Sequence, residues 1–224
     1  MAGHAAAGTR GQTLARAMIR AEIQSKRFGA KQVLGPIALE VARGEVLAIE
    51  GPSGVGKSTL LRILAGLDDD FDGRVEATGR MSMVFQEPRL MPWRNVGDNI
   101  RLTTRASAAA IGQMLTRVGL AGHENTYPRA LSLGQARRVA LARAFVVPPD
   151  ILILDEPFTS LDPDRVADLL MLTRELIDSH RPATIFVTHS RHEARQLADR
   201  RAELTGQPAR LVCKSGDMPQ MQTA

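Results

Sequence analysis

The chain has 224 residues, 44% hydrophobic, 24% charged and only 4% aromatic, with a formal net charge of +5. That is enough for one domain with a sizeable core, and no apolar run approaches the roughly 20 residues of a membrane-spanning helix. The lone cysteine, Cys213, excludes an intramolecular disulfide and an all-cysteine metal site and suits a reducing cytosol, while scattered arginines and few aromatics argue for a solvated basic surface over a nucleic-acid site.

Residues 1–17 are small, polar and basic, without the apolar segment of a secretory signal, and are expected to be a frayed leader. Met18 to Ser25 alternates in polarity and predicts a strand. Ile37 to Val41 and Val46 to Glu50 predict two more, split by a turn at Arg43-Gly44. A helix is predicted from Lys57 to Leu67. RVEATGRMSMVFQ reads as two strands with a turn at Gly79. From Pro88 to Pro149 strand patterns vanish and helix patterns dominate, clearest in SAAAIGQMLTRVGL and GQARRVALARAFV. Ile151 to Asp155 (ILILD) is a short continuous apolar run, as expected of a strand buried on both faces. Asp162-Pro163 opens a helix, ATIFVTH predicts another buried strand, and Ser190 to Glu193 has the S-x-x-E pattern ahead of a last long helix. The alternation predicts an α/β fold, a mostly parallel sheet with helices on both faces. An antiparallel β region would lie at the N-terminal end and a helical subdomain would be inserted at about 88–149. Residues 214–224 are expected to be a flexible tail.

GPSGVGKST matches G-x-x-x-x-G-K-[ST] in full, with a predicted strand before it and a helix after it. Its members are Gly51, Pro52, Ser53, Gly54, Val55, Gly56, Lys57, Ser58 and Thr59. Glycines let the backbone wrap phosphate oxygens, and successive N–H groups with the helix N-terminus meet negative charge. Lys57 would reach the β and γ phosphates, and the Ser58 hydroxyl would ligate Mg²⁺. Asp155 ends the ILILD strand at the edge where open α/β sheets place ligands. It would hold Mg²⁺ through water. Glu156 follows and would polarise an attacking water; a helix-capping or surface carboxylate is the competing reading. His189 ends ATIFVTH and would touch the γ-phosphate, against the commoner reading of a structural hydrogen-bonder.

Together and in this order, these motifs resemble the ATP-binding subunit of an ABC transporter, a P-loop NTPase. The resemblance covers about Ile19 to Val212. GPSGVGKST looks like the phosphate loop, ILILDEP like the Mg²⁺ strand with its catalytic glutamate, and Gln86 in VFQEPRL like the glutamine loop. LSLGQ, with Ser132, Gly134 and Gln135, is similar to the signature. TSLD, ending in Asp162, is similar to the D-loop, and His189 to the switch histidine. Phe28 is placed like the aromatic that stacks on adenine. The resemblance implies ATP and Mg²⁺ as cofactors, the metal near Ser58, Gln86 and Asp155, and Glu156, His189, Gln86 and Lys57 as the catalytic set.

The resemblance also implies partners. A second ATPase subunit, taken as a second copy, would face this one head to tail, so that each ATP lies between one phosphate loop and the other signature. Transmembrane permease subunits would hold the pair at the cytoplasmic face of the cell membrane, a solute-binding protein would act indirectly, and nucleic acid would not be a partner. Trp93 and Met91 are candidates for the permease groove or for ordinary core. FQEPRLMPWRNVGDNI looks like the nitrate/sulfonate/taurine type of importer subunit, a look shared by relatives that carry other small molecules, including thiamine precursors. Three alternatives stand beside import: an export or lipid-transport ATPase, since the domain does not record direction; a nucleotide-gated scaffold, against which Glu156 and His189 weigh; and a DNA-repair or translation ATPase, which would need a coiled-coil insertion or a duplicated domain. No regulatory domain is expected after Val212.

The family's usual signature is Leu-Ser-Gly-Gly-Gln, and here Leu133 replaces the first glycine. The substitution matters only if that side chain must point at phosphate or its backbone needs φ > 0, which leucine resists. Neither is expected, and the signature is expected to be competent.

Overall fold

The computed structural model describes residues 17–213; residues 1–16 of the expected leader and the tail over 214–224 lie outside them, and Ala17, counted with the leader, belongs to the first strand. Among the described residues ten strands join one mixed sheet. Its centre is built from the three apolar runs, β4 (Val46–Glu50), β7 (Ile151–Asp155) and β8 (Ala183–Thr188), in which every residue is buried. They lie in the order β4-β8-β7, all parallel. β6 (Met81–Val84) adds in parallel beyond β7, and β9 (Arg200–Gly206) in parallel beyond β4.

Two separate cores explain why these runs are apolar throughout. Val46, Ala48, Leu152, Leu154 and Phe186 face one core. Leu47, Ile49, Ile151, Ile153, Ile185 and Val187 face the other. Side chains of a strand alternate between faces, so burial on both requires an uninterrupted apolar run. The first core is closed by α2 (Val96–Thr104), α3 (Ala108–Arg117), α4 (Leu133–Phe145), α5 (Pro163–His180) and α6 (Arg191–Leu197). The second is closed by α1 (Lys57–Leu64) and by antiparallel strands rather than a second set of helices. β1 (Ala17–Phe28) turns Ile19, Ala21 and Ile23 inward. It pairs antiparallel with β3 (Ile37–Ala42), with β5 (Asp72–Ala77) and with the short β2 (Lys31–Leu34). This is the antiparallel region the sequence predicts.

Helix starts follow their caps. Asn95, Ser107 and Asp162 each accept a backbone N–H three residues on, which fixes the first turns of α2, α3 and α5. α1 stops at Leu64, short of the predicted Leu67, because Gly66 takes a left-handed φ of 67°. The last helix is a larger correction. α6 has seven residues instead of being long, and is followed by β9 and β10 (Ala209–Cys213), an antiparallel pair that the sequence reading does not contain. Ser190 caps α6 through the Glu193 N–H, but the Glu193 carboxylate accepts from the Thr188 hydroxyl at 2.5 Å, so its half of the capping box is diverted. Among the described residues no helix is long and apolar enough to cross a membrane.

Candidate active site

Four neighbouring parallel strands end at one edge of the sheet, and each delivers a predicted group there. In the order β4-β8-β7-β6, these are the 51–59 loop, His189, Asp155 with Glu156, and Gln86. Register aligns them: Glu50 pairs with Thr188, Asp155 with Val187, and Leu154 with Val84. Residues more than a hundred positions apart thus meet at the carboxyl edge, where this architecture places ligands.

The 51–59 loop joins β4 to α1. A Cβ on Gly51 would lie 2.6 Å from the Leu204 carbonyl oxygen, so no other residue fits there without a shift. Gly56 takes φ 115° against Leu34 and caps α1 with no side chain, and the first turn holds no acidic residue. The leading amides of α1 are thereby left to an anion from outside the loop. Lys57 is buried, and its Nζ donates to the Gly51 and Pro52 carbonyls at 3.0 and 3.1 Å. The same ammonium lies 3.1 Å from Glu156 Oε1. Glu156 Oε2 accepts from the Thr159 hydroxyl and faces His189 Nδ1 at 3.4 Å. Lys57, Glu156 and His189, all named from sequence, therefore form one contact chain. The helix-capping reading of Glu156 does not hold, since its carboxylate turns to Lys57.

Two adjacent carboxylates have opposite electrostatics. Burial pushes the Asp155 carboxyl above its ordinary range. The Ser58 hydroxyl, donating at 3.1 Å, opposes this and the Glu156 charge adds to it. Burial also acts on Glu156, but the hydrogen bond and charge of Lys57, helped by His189 and Thr159, outweigh it and hold that carboxyl low. A hard cation fits between Ser58 and Asp155: two oxygen donors are in contact, and one is a carboxylate whose ionisation burial disfavours. Among the described residues no cluster of three His, Cys, Asp or Glu side chains is arranged as a metal cage. The remaining ligands would come from phosphate oxygens and water, the usual surroundings of Mg²⁺ in such sites.

Phe28 ends β1 with its ring 52% exposed, and Lys26 Nζ sits 4.8 Å from the ring centroid. Lys26 is pinned by Asp68 at 2.7 Å, and Val33 and Leu34 of β2 lie against Gly56. The hairpin that carries Phe28 is thus anchored beside the phosphate loop.

Ser132, Gly134 and Gln135 lie elsewhere, at the start of α4, where they line a hollow of about 230 Å³ with Leu161 and Arg165. The Ser132 hydroxyl accepts from the Gln135 N–H, and the Gln135 side chain accepts from the Ser132 N–H at 2.9 Å, a complete capping box. Leu133 is the first residue of α4, outside the left-handed region, with its side chain 42% exposed. Gly134 takes no positive φ either. Asp162 caps α5 and pairs with Arg165 at 3.0 Å. Gln86 is exposed, two residues beyond β6. Trp93 is 71% exposed, which removes the core reading for it, while Met91 is half-buried. Their loop is held by buried Asn99, which bonds both the N–H and the carbonyl of Met91. A groove of about 460 Å³ is lined by Leu67, Phe85, Arg89 and Thr104 among others.

Sequence reasoning missed Arg137. Its guanidinium is 6% exposed and donates to the Pro157 and Thr159 carbonyls, just after Glu156. The available signal was a cation on the apolar face of a helix, with Ala140, Leu141 and Ala144 at the i+3, i+4 and i+7 positions.

A strand, glycine loop and helix beside an acidic pair on a neighbouring parallel strand define a P-loop nucleotide-binding ATPase. The family model for the ABC transporter matches residues 34–159. Aliphatic sulfonates import ATP-binding protein SsuB 2 of Burkholderia cenocepacia is 43% identical over 200 residues, covering 84% of this chain and 74% of that protein. SsuB 1 of Rhodococcus jostii, with the same descriptive name, is 50% identical over 188 residues, covering 81% and 76%. SsuB 2 of Frankia alni is 48% identical over 177 residues, covering 78% and 72%. The chain belongs to the ABC transporter family, as an ATP-binding protein and an ATPase.

Proposed function

We propose that this chain energises a bacterial importer of small organic sulfonates by closing head to tail on a second copy around two ATP molecules. The observation that carries the reading is the row of four strand ends, with Lys57, Glu156 and His189 in contact. Import and the solute class are supported by the relatives, whose names specify import of aliphatic sulfonates. Permease subunits would dock where Trp93 stands exposed, with residues 88–149 as the subdomain that meets them.

In this reading the 51–59 backbone and the N-terminus of α1 bind the phosphates, and Phe28 stacks on adenine. An incoming triphosphate takes the Lys57 ammonium from Glu156, and the freed carboxylate accepts a proton from the attacking water. His189 orients Glu156 and meets the γ-phosphate. Ser58 and Asp155 would hold Mg²⁺, with Gln86 beside it, and the ion would neutralise charge on the transferred phosphoryl group. Asp162, Ser132, Gly134 and Gln135 face the partner subunit, the last three offering a helix start to its nucleotide. Positioning and electrostatic stabilisation supply most of the rate in this chemistry.

The test is genetic and then biochemical. Loss of the gene is expected to stop growth on an alkanesulfonate as sole sulfur source and to spare growth on sulfate. ATP turnover by the assembled transporter should rise several-fold with sulfonate-loaded binding protein. Normal growth on sulfonates, with turnover indifferent to them, would overturn the solute assignment.

A further inference from the structure

We infer that Arg137 is a positioning residue that couples the turn Ser132–Gln135 to Glu156 of the same subunit. Because that turn serves the partner's nucleotide in the head-to-tail reading, on which this inference rests, Arg137 would let one ATP site report its occupancy to the other.

Three observations support it. Arg137 stands in α4 two residues beyond the Ser132–Gln135 capping box, so a displacement of that turn moves the guanidinium with the helix. Its two terminal nitrogens grip carbonyls of residues 157 and 159, while Nε is buried without a hydrogen-bond partner among the described residues. A rigid cationic fork astride two carbonyls transmits direction, which a single flexible ammonium does poorly. The gripped segment also needs outside support. Glu156 and Ser160 are non-glycine residues with φ of 44° and 64°, a conformation that persists only where surroundings impose it. Those surroundings are the bonds from the Glu156 N–H to the Val187 carbonyl and from the Thr159 N–H to the Glu156 carbonyl, the contacts of Thr159, Lys57 and His189 with the Glu156 carboxylate, and Arg137. Arg137 alone among them comes from the helix that bears Ser132 and Gln135. A shift of α4 therefore changes the constraint on the turn that sets where the Glu156 carboxylate points.

A passive brace and a coupler differ in what their loss does. Removing a brace lowers stability and slows both sites alike, leaving the ATP dependence of turnover with the same shape. Removing a coupler makes the two sites independent. The experiment measures turnover against ATP concentration for the full chain, for Arg137→Lys and for Arg137→Gln, together with ADP affinity and Tm. The wild-type Hill coefficient is expected above about 1.5, approaching the limit of two sites. Arg137→Gln should bring it to about 1, Arg137→Lys should fall between, and ADP affinity should stay within about twofold. If the Gln chain does not fold, the Lys chain carries the test. Hydrogen exchange of the Glu156→Gln chain adds a readout with Arg137 intact: amides 156–160 must gain protection together with 132–137 when ATP is added. ATP-dependent dimerisation of Glu156→Gln is followed in the same series. Without a dimer, the head-to-tail reading itself fails. With a dimer, a wild-type coefficient of 1, an unchanged coefficient in the variants, or amides 156–160 that ignore ATP overturns the coupling alone.

Discussion

Replacing Leu133 with glycine restores the family's usual signature and tests whether leucine impairs it. The structure predicts a small loss of stability and almost no change in turnover. Leu133 opens α4 in ordinary helical conformation, its side chain is 42% exposed, and it packs in neither core. Glycine costs a helix roughly 0.5–1 kcal/mol relative to good helix formers. For a chain of this size, that lowers Tm by about 2–4 °C. The phosphate-facing groups do not depend on residue 133. The capping box joins Ser132 to Gln135, and Gly134 is already free of a side chain. Turnover in a phosphate-release assay with saturating Mg-ATP should therefore stay within about threefold of wild type. A tenfold gain, equivalent to about 1.4 kcal/mol of barrier, would show that leucine obstructs the nucleotide.

Other outcomes follow from the same geometry. Asp155→Asn should abolish Mg²⁺-dependent turnover yet raise the Tm of the nucleotide-free chain at neutral pH, because the amide relieves the cost of a buried charge. The Asp155 carboxyl is raised in the folded chain, so wild type loses stability as pH climbs from the ordinary carboxyl range through the raised value. The variant's advantage is thus complete above that value and vanishes in acid. Glu156→Gln has the opposite sign. The Glu156 carboxyl is held low, so its stabilisation is present above the ordinary carboxyl range and disappears as pH falls through the depressed value; thermal melts across pH should show the variant less stable only on the alkaline side. Ser132→Ala removes half the capping box and should cost about 1 kcal/mol in denaturant unfolding while weakening ATP-dependent dimerisation. Trp93→Ala should leave Tm and isolated turnover unchanged and reduce co-purification with the permease; unchanged co-purification would remove Trp93 from the docking surface.

The central strands and the phosphate loop were legible because their physics is local. ILILD and ATIFV are continuous apolar runs, and Gly51 to Thr59 is a complete motif between a strand and a helix. The strand order placing His189 between the phosphate loop and Asp155 is not written in any one segment; it emerges when β8 inserts between β4 and β7. β9 escaped notice because RRAELTG buries only Ala202 and Leu204, a weak apolar signal flanked by charges. The diverted Glu193 could not be foreseen either, since S-x-x-E fits a capping box equally well when the glutamate turns to Thr188. Arg137 was legible only as a cation out of place, because the carbonyls that explain it lie 20 and 22 residues away.

In the proposed cycle this chain hydrolyses ATP through Glu156 in an ATP-driven dimer. The most direct measurement is Mg-ATP turnover with light scattering, comparing wild type with Glu156→Gln. Wild type should turn over, and the variant should not, yet should form a stable dimer with ATP and remain monomeric with ADP. Turnover retained in the variant, or no dimer with ATP in either chain, would show that hydrolysis does not run through Glu156 in such a dimer.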